Sequence, residues 1–87
     1  MVQWALVFQK DAEKDLVRVG KTVRVRVIER LEWLVENFDS VNHLPLIERY
    51  AGFFKLRIGD WRVIYKIDWK KNIITVCYID HRSRVYK

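Results

Sequence analysis

Residues 52–67 read GFFKLRIGDWRVIYKI. Apolar residues alternate with cations on both sides of Gly59-Asp60, the period-two pattern of half-buried strands joined by a tight turn. With Gly59-Asp60 as a two-residue loop, pairing follows by counting. Ile58 faces Trp61, Arg57 faces Arg62, Leu56 faces Val63 and Lys55 faces Ile64. Phe54, Leu56, Ile58, Val63 and Tyr65 then share the expected core face, and Lys55, Arg57 and Arg62 share the other. Directly opposed residues lie about 5 Å apart. Two guanidinium charges at that distance repel by roughly 1 to 3 kcal/mol, depending on the effective dielectric. A bound phosphate would relieve this, because the guanidinium fork matches phosphate oxygens in bidentate geometry. The alternative is an exposed row of cations screened by solvent. A one-residue slip in register would separate the two arginines.

Working outward, VQWALVF (2–8) reads as a first strand. AEKDLVRV follows as a short amphipathic helix ending near Gly20, with Asp11, Glu13 and Asp15 expected as dipole-favouring residues of its first turn. Next comes TVRVRVIERLEWLVENF. Its opening alternates like a strand, but Val23, Val27, Leu31, Leu34, Val35 and Phe38 recur at helical spacing over the longer window, and Thr22 is the expected cap. Leu34, Val35 and Phe38 are expected to press on the sheet. Residues 39–51 hold the only Pro and read as a connecting loop. Strands are expected at about 53–58, 61–67 and 73–79. The order is β-α-α-β-β-β in one α+β domain over residues 1–87, with a mainly antiparallel sheet and two helices packed on one face.

The 87 residues suffice for one small domain, and a 51% hydrophobic content argues against disorder. Cys77 is the single cysteine, so no internal disulfide forms. Two His with one Cys form no zinc-binding cluster in the sequence, and three glycines build no phosphate loop. No cofactor is expected. No apolar run approaches the ~20 residues of a membrane span, and no signal peptide is read, so a cytoplasmic protein is expected. The net charge is +6 and uneven. Residues 1–48 hold seven Lys/Arg and eight Asp/Glu, whereas residues 49–87 hold ten and three. That asymmetry suits a polyanionic partner, or serves solubility alone.

The tail contributes His81, Arg82, Arg84 and Tyr86. An antiparallel last strand brings its end back near Trp61 and Arg62, so His81 and Arg82 are expected to approach the cation row. An imidazole, fixed cations and a phenol suit metal-free phosphodiester cleavage. A base takes the proton of a ribose 2′-hydroxyl, cations hold the pentacovalent phosphate, and an acid protonates the leaving oxygen. Tyr86 alternatively stacks on a base. Taken singly, a strand-end His and a terminal Tyr also have structural uses.

The stretches GFFKLRIGDWRVIYKID and ITVCYIDHRSRVYK resemble the RelE/ParE superfamily of bacterial type II toxins. The shared form is a Lys-Leu-Arg-x-Gly-Asp-x-Arg-x-x-Tyr hairpin, then a strand and a His-Arg-x-x-x-Tyr tail. The resemblance covers essentially the whole chain and is nearest to the RelE branch of ribosome-dependent mRNA interferases. It implies a microbial RNase fold, metal-free endoribonuclease cleavage of mRNA on the ribosome, and neutralisation by a cognate antitoxin. By position it implies Lys55 as the catalytic lysine, with Arg57 and Arg62 near enough to make it shed its proton more readily. Arg62 matches the phosphate-stabilising arginine, Arg82 the tail arginine, and Tyr86 the tail tyrosine that stacks on the base. His81 matches a histidine found in one part of the superfamily, an alternative base. The chain stops one residue after Tyr86, short of the C-terminal helix of some members. A ParE-like inhibitor of DNA gyrase and a non-catalytic basic nucleic-acid-binding module are the competing expectations.

Overall fold

The Gly59-Asp60 loop adopts the counted register: Arg57 pairs with Arg62, Ile58 with Trp61, Leu56 with Val63 and Lys55 with Ile64. Gly59 has φ 59° and Asp60 stays outside the left-handed region, as a type II′ loop with glycine first requires. The computed structural model describes residues 3–46 and 51–85; Tyr86 lies outside them. The elements are β1 (Ala5–Phe8), α1 (Lys10–Arg18), α2 (Lys21–Glu36), a 3-10 turn (Phe38–Ser40), β2 (Leu44–Pro45), β3 (Phe54–Ile58), β4 (Trp61–Asp68), β5 (Ile73–His81) and α3 (Arg82–Val85). The sheet order is β1-β5-β4-β3-β2, with β1 parallel to β5 and every other pairing antiparallel.

The expected α+β architecture is present, with three refinements. The segment read as a loop contributes an edge strand of two residues, Leu44 opposite Lys55 and Pro45 opposite Phe54. Thr22 does not cap α2: Gly20 stands at the N-cap with φ 87°, and its carbonyl accepts the Arg24 N–H. The tail closes with the single helical turn of α3, held down by buried Val85.

Both long helices lie on one face of the sheet. Ala12, Val27, Leu31, Leu34 and Phe38 from the helical side meet Leu56, Ile58, Val63, Tyr65, Ile74, Val76 and Ile79 from the strands. The alternation around the hairpin therefore delivers its apolar half to the main core, at about 25 cal/mol per Å² of apolar surface removed from water. The reverse face carries a smaller cluster, Leu46, Ile64 and Val85, flanked by Phe53 and Tyr78.

Asp15 is not a first-turn residue of α1. Its Oδ2 accepts the Ile79 N–H at 2.9 Å, while Arg18 Nη2 donates to the Ile79 carbonyl at 3.1 Å. Those two side chains satisfy the edge of β5 beyond the point where four-residue β1 ends.

Tyr65 is 1% exposed and sits under the loop leading to β2. Its hydroxyl lies 2.7 Å from His43 Nδ1, and His43 Nε2 lies 3.1 Å from the Phe38 carbonyl. A carbonyl only accepts, so Nε2 donates to it and Nδ1 accepts the hydrogen bond donated by the Tyr65 hydroxyl. Burial pushes the Tyr65 phenol from 10.0 up to about 12. Above pH 10.0 the unfolded chain releases this proton before the folded one does, so the contribution of Tyr65 to stability falls as pH rises through that interval and is constant below it. Tyr65→Phe is expected to cost about 1 kcal/mol at pH 7. In urea denaturation the gap between wild type and variant should then close and change sign between pH 10.0 and about 12. A gap that stays constant across that range would disprove the assignment.

Candidate functional site

The reverse face of the sheet is laid out in cross-strand rows. Lys55, Ile64 and Tyr78 form one row across β3, β4 and β5; Arg57, Arg62 and Asp80 form the next. Ile64 is fully buried under Val85 and Leu46, so the cations stand beside a small apolar floor rather than on a wholly wet surface. Lys55 is half-buried and Arg57 exposed. The structure thus brings three of the expected residues, Lys55, Arg57 and Arg62, onto one face.

Arg62 differs in kind from Arg57. It is 7% exposed, the one buried charged residue among the described residues. Its Nη1 donates to the Gly59 and Trp61 carbonyls, each at 2.9 Å. A buried cation needs such partners, and the bonds turn the guanidinium toward the hairpin loop. Nε and Nη2 take no part in either bond, so the outer part of the fork keeps its donors. The repulsion expected between the opposed arginines is relieved in part by this turn: Arg62 bends to the loop while Arg57 projects from the sheet.

His81 does not join the cations. β5 runs on to His81, and a bulge between Ile64 and Tyr65 leaves Cys77 as an extra residue between Val76 and Tyr78. The bulge reverses the faces of the second half of β5. Tyr78 and Asp80 come to the cation face, and His81 falls opposite Trp61 on the helix side. The Trp61 and His81 rings meet edge-on at 5.6 Å, and His81 Nδ1 lies 3.0 Å from the Ser83 hydroxyl. Arg82 sits at the hairpin tip, where its backbone N–H donates to the Asp60 carbonyl at 2.8 Å and its side chain approaches the Asp60 carboxylate at 3.6 Å.

Two groups on this face, Tyr78 and Asp80, were not among the expected site residues, and Arg84 was named with the tail but given no role. Asp80 stands opposite Arg62 but forms ion pairs with Arg18 and Arg84, both at 3.7 Å. It therefore fixes Arg84 one helical turn ahead along the tail. Strict alternation from Ile74 and Val76 points Tyr78 and Asp80 into the core, so only knowledge of the bulge would have found them. The basic tail itself was the only sequence signal for Arg84. Among the described residues no group of three His, Cys, Asp or Glu side chains is placed to hold a metal ion. The face sets three cations beside a tyrosine and an apolar floor, and its charge is complementary to a phosphate.

Comparison with known proteins adds independent findings. The family model described as the ParE toxin of the type II toxin-antitoxin system parDE matches residues 6–86. Toxin RelG of Mycobacterium tuberculosis is 35% identical over 80 residues, which span 92% of each chain. In the crystal structure of the toxin-antitoxin complex RelBE2 from the same organism, one chain superposes with a TM-score of 0.82 at 28% identity, covering 93% of this chain and 100% of that one. The archaeal RelE-RelB complex from Pyrococcus horikoshii OT3 gives a TM-score of 0.70 at 25% identity, covering 97% and 100%.

The two arginines should respond differently to removal. Arg62→Ala strips two charge-assisted hydrogen bonds from the loop and should lower stability by about 2 kcal/mol in urea denaturation. Arg57→Gln removes an exposed cation that repels its neighbour and should not lower stability. Equal destabilisation by both would show that Arg62 does not clamp the turn.

Proposed function

The chain belongs to the ParE/RelE family of type II toxin-antitoxin toxins, and from that premise we propose that it is a ribosome-dependent endoribonuclease that cleaves mRNA and so inhibits translation. The observation that carries this reading is the grouping of Lys55, Arg57 and Arg62 on one sheet face beside an apolar floor. In this reading Lys55 removes the proton of a ribose 2′-hydroxyl, and the 2′ oxygen attacks the adjacent phosphorus. Arg57 and the outer fork of Arg62 hold the charge of the pentacovalent phosphate. The bond to the 5′ oxygen then breaks, leaving a 2′,3′-cyclic phosphate. The leaving oxygen takes its proton from water, since His81 lies on the helix side. Arg82 closes the tip, and Tyr86 stacks on the base. No step calls for a metal.

The proposed partners are a cognate antitoxin and the ribosome with its mRNA. The RelBE2 and archaeal RelE-RelB structures are toxin-antitoxin complexes, which supports an antitoxin for this chain as well. No helix among the described residues is long and apolar enough to cross a membrane, and a cytoplasmic place of action is part of the same proposal. The matching family model carries the ParE description, which favours gyrase as the second reading.

A cell-free translation system separates the two. Wild-type protein should produce discrete mRNA cuts that require ribosomes. Lys55→Ala and Arg57→Ala should each reduce cutting by about 100-fold or more, with the exposed Arg57→Ala variant melting like wild type. Halted supercoiling with intact mRNA would transfer the function to gyrase inhibition.

A further inference from the structure

Cations also continue around the hairpin to the helix side. A cavity of about 450 Å³ opens between α2 and the end of β3, lined by Arg26, Glu29, Arg30, Trp33, Arg57, Ile58 and Gly59. Among the described residues none of Arg26, Arg30 and Arg57 enters an ion pair, although Glu29 shares the cavity. The Arg26 guanidinium lies close over the tip: a Cβ on Gly59 would stand 3.0 Å from its Nη2. The loop thus lies between two guanidinium groups, Arg62, which bonds it on the reverse face, and Arg26, which stands near it on the helix side. Between them lies the edge of β3, which β2 covers only at Phe54 and Lys55. A strand of phosphates leaving the reverse face can turn around this edge without crossing another segment of the sheet.

Trp33 adds a second kind of contact. It is 40% exposed, and the Arg30 guanidinium carbon lies 4.0 Å from its ring centroid. A planar cation stacked on an exposed indole is a platform for a nucleobase. An acidic peptide would use the charges but has no use for the flat platform. A single-stranded RNA uses both.

We propose that Arg26, Arg30 and Trp33, joined to the candidate site through Arg57, form a second subsite that holds single-stranded RNA beyond the reacting phosphate. This rests on the reading of the protein as an RNA-cleaving toxin. It assigns to α2 a positioning role in binding and none in the chemistry.

The test uses the whole protein and fluorescent 2′-O-methyl RNA, which lacks the reacting hydroxyl, in two lengths. A dinucleotide fills the sheet face alone, and an oligonucleotide of about twenty residues reaches around the edge of a molecule whose longest extent is 34 Å. Arg26→Gln combined with Arg30→Gln should weaken the long oligonucleotide about tenfold. It should also reduce the slope of log affinity against log salt by about 1.4, the effect of two phosphate contacts on a single strand. Trp33→Leu should weaken it about tenfold as well. The short oligonucleotide should bind all variants like wild type, and since the three side chains are exposed on α2, melting should be unchanged. If the short RNA binds and the long RNA ignores both variants, the subsite is refuted while the toxin's RNA-binding face stands. If wild type binds neither length, the subsite is refuted, and the RNA-cleaving reading is decided separately by the ribosome-dependent cutting assay. If the variants instead lose a poly-glutamate peptide and keep the long RNA, the cavity belongs to an acidic peptide and the proposal is overturned.

Discussion

The register of one two-residue loop governs the sheet. With glycine first and φ at 59°, Gly59-Asp60 reverses the chain with no residue to spare, so Leu56, Ile58, Val63 and Tyr65 all meet the helices together. The same count sets Arg57 against Arg62. A slip by one residue would bury the cations and expose the core, a loss far greater than the repulsion between two guanidinium groups. The charge crowding on the reverse face is therefore enforced by the apolar face. Arg62 then returns a bond to the Gly59 carbonyl, so the cation whose position the loop dictates also stabilises that loop.

The second determinant is the bulge at Cys77. It allows β5 to keep Ile74, Val76 and Ile79 in the core although their spacing changes from two residues to three. Everything beyond it changes face. The tyrosine and the aspartate come to the cations, and the histidine goes to Trp61. Bulges are a common means of re-aiming side chains near functional surfaces, and here the result is a cation face served by a phenol and a carboxylate in place of an imidazole.

How much of this was legible follows from the same two features. The hairpin could be read directly because its alternation and its Gly-Asp loop agree, and the placement of Lys55, Arg57 and Arg62 came with it. Helix α2 was legible over seventeen residues although Val23 to Val27 alternate like a strand, because the longer period outlasts the shorter. The bulge left no mark: Val76, Cys77 and Tyr78 are all acceptable strand residues, so the faces of Tyr78, Asp80 and His81 could not be assigned by counting. β2 was lost for a different reason, since two residues that include Pro45 carry no pattern of their own and pair only because β3 offers an edge. Asp15 looked like a helix-dipole residue because its partner, the Ile79 N–H, lies 64 positions away.

That last bond has a consequence for the behaviour of the molecule in company. β5 is nine residues long and its neighbour β1 only four, so part of a central hydrophobic strand would otherwise present open hydrogen-bonding groups to any passing chain. Such an edge templates intermolecular strand addition and aggregation. Asp15 and Arg18 occupy the Ile79 N–H and carbonyl with one acceptor and one donor from the same helix, a side-chain substitute for the missing end of β1. The helix that helps to cover the core thus also keeps the sheet from growing.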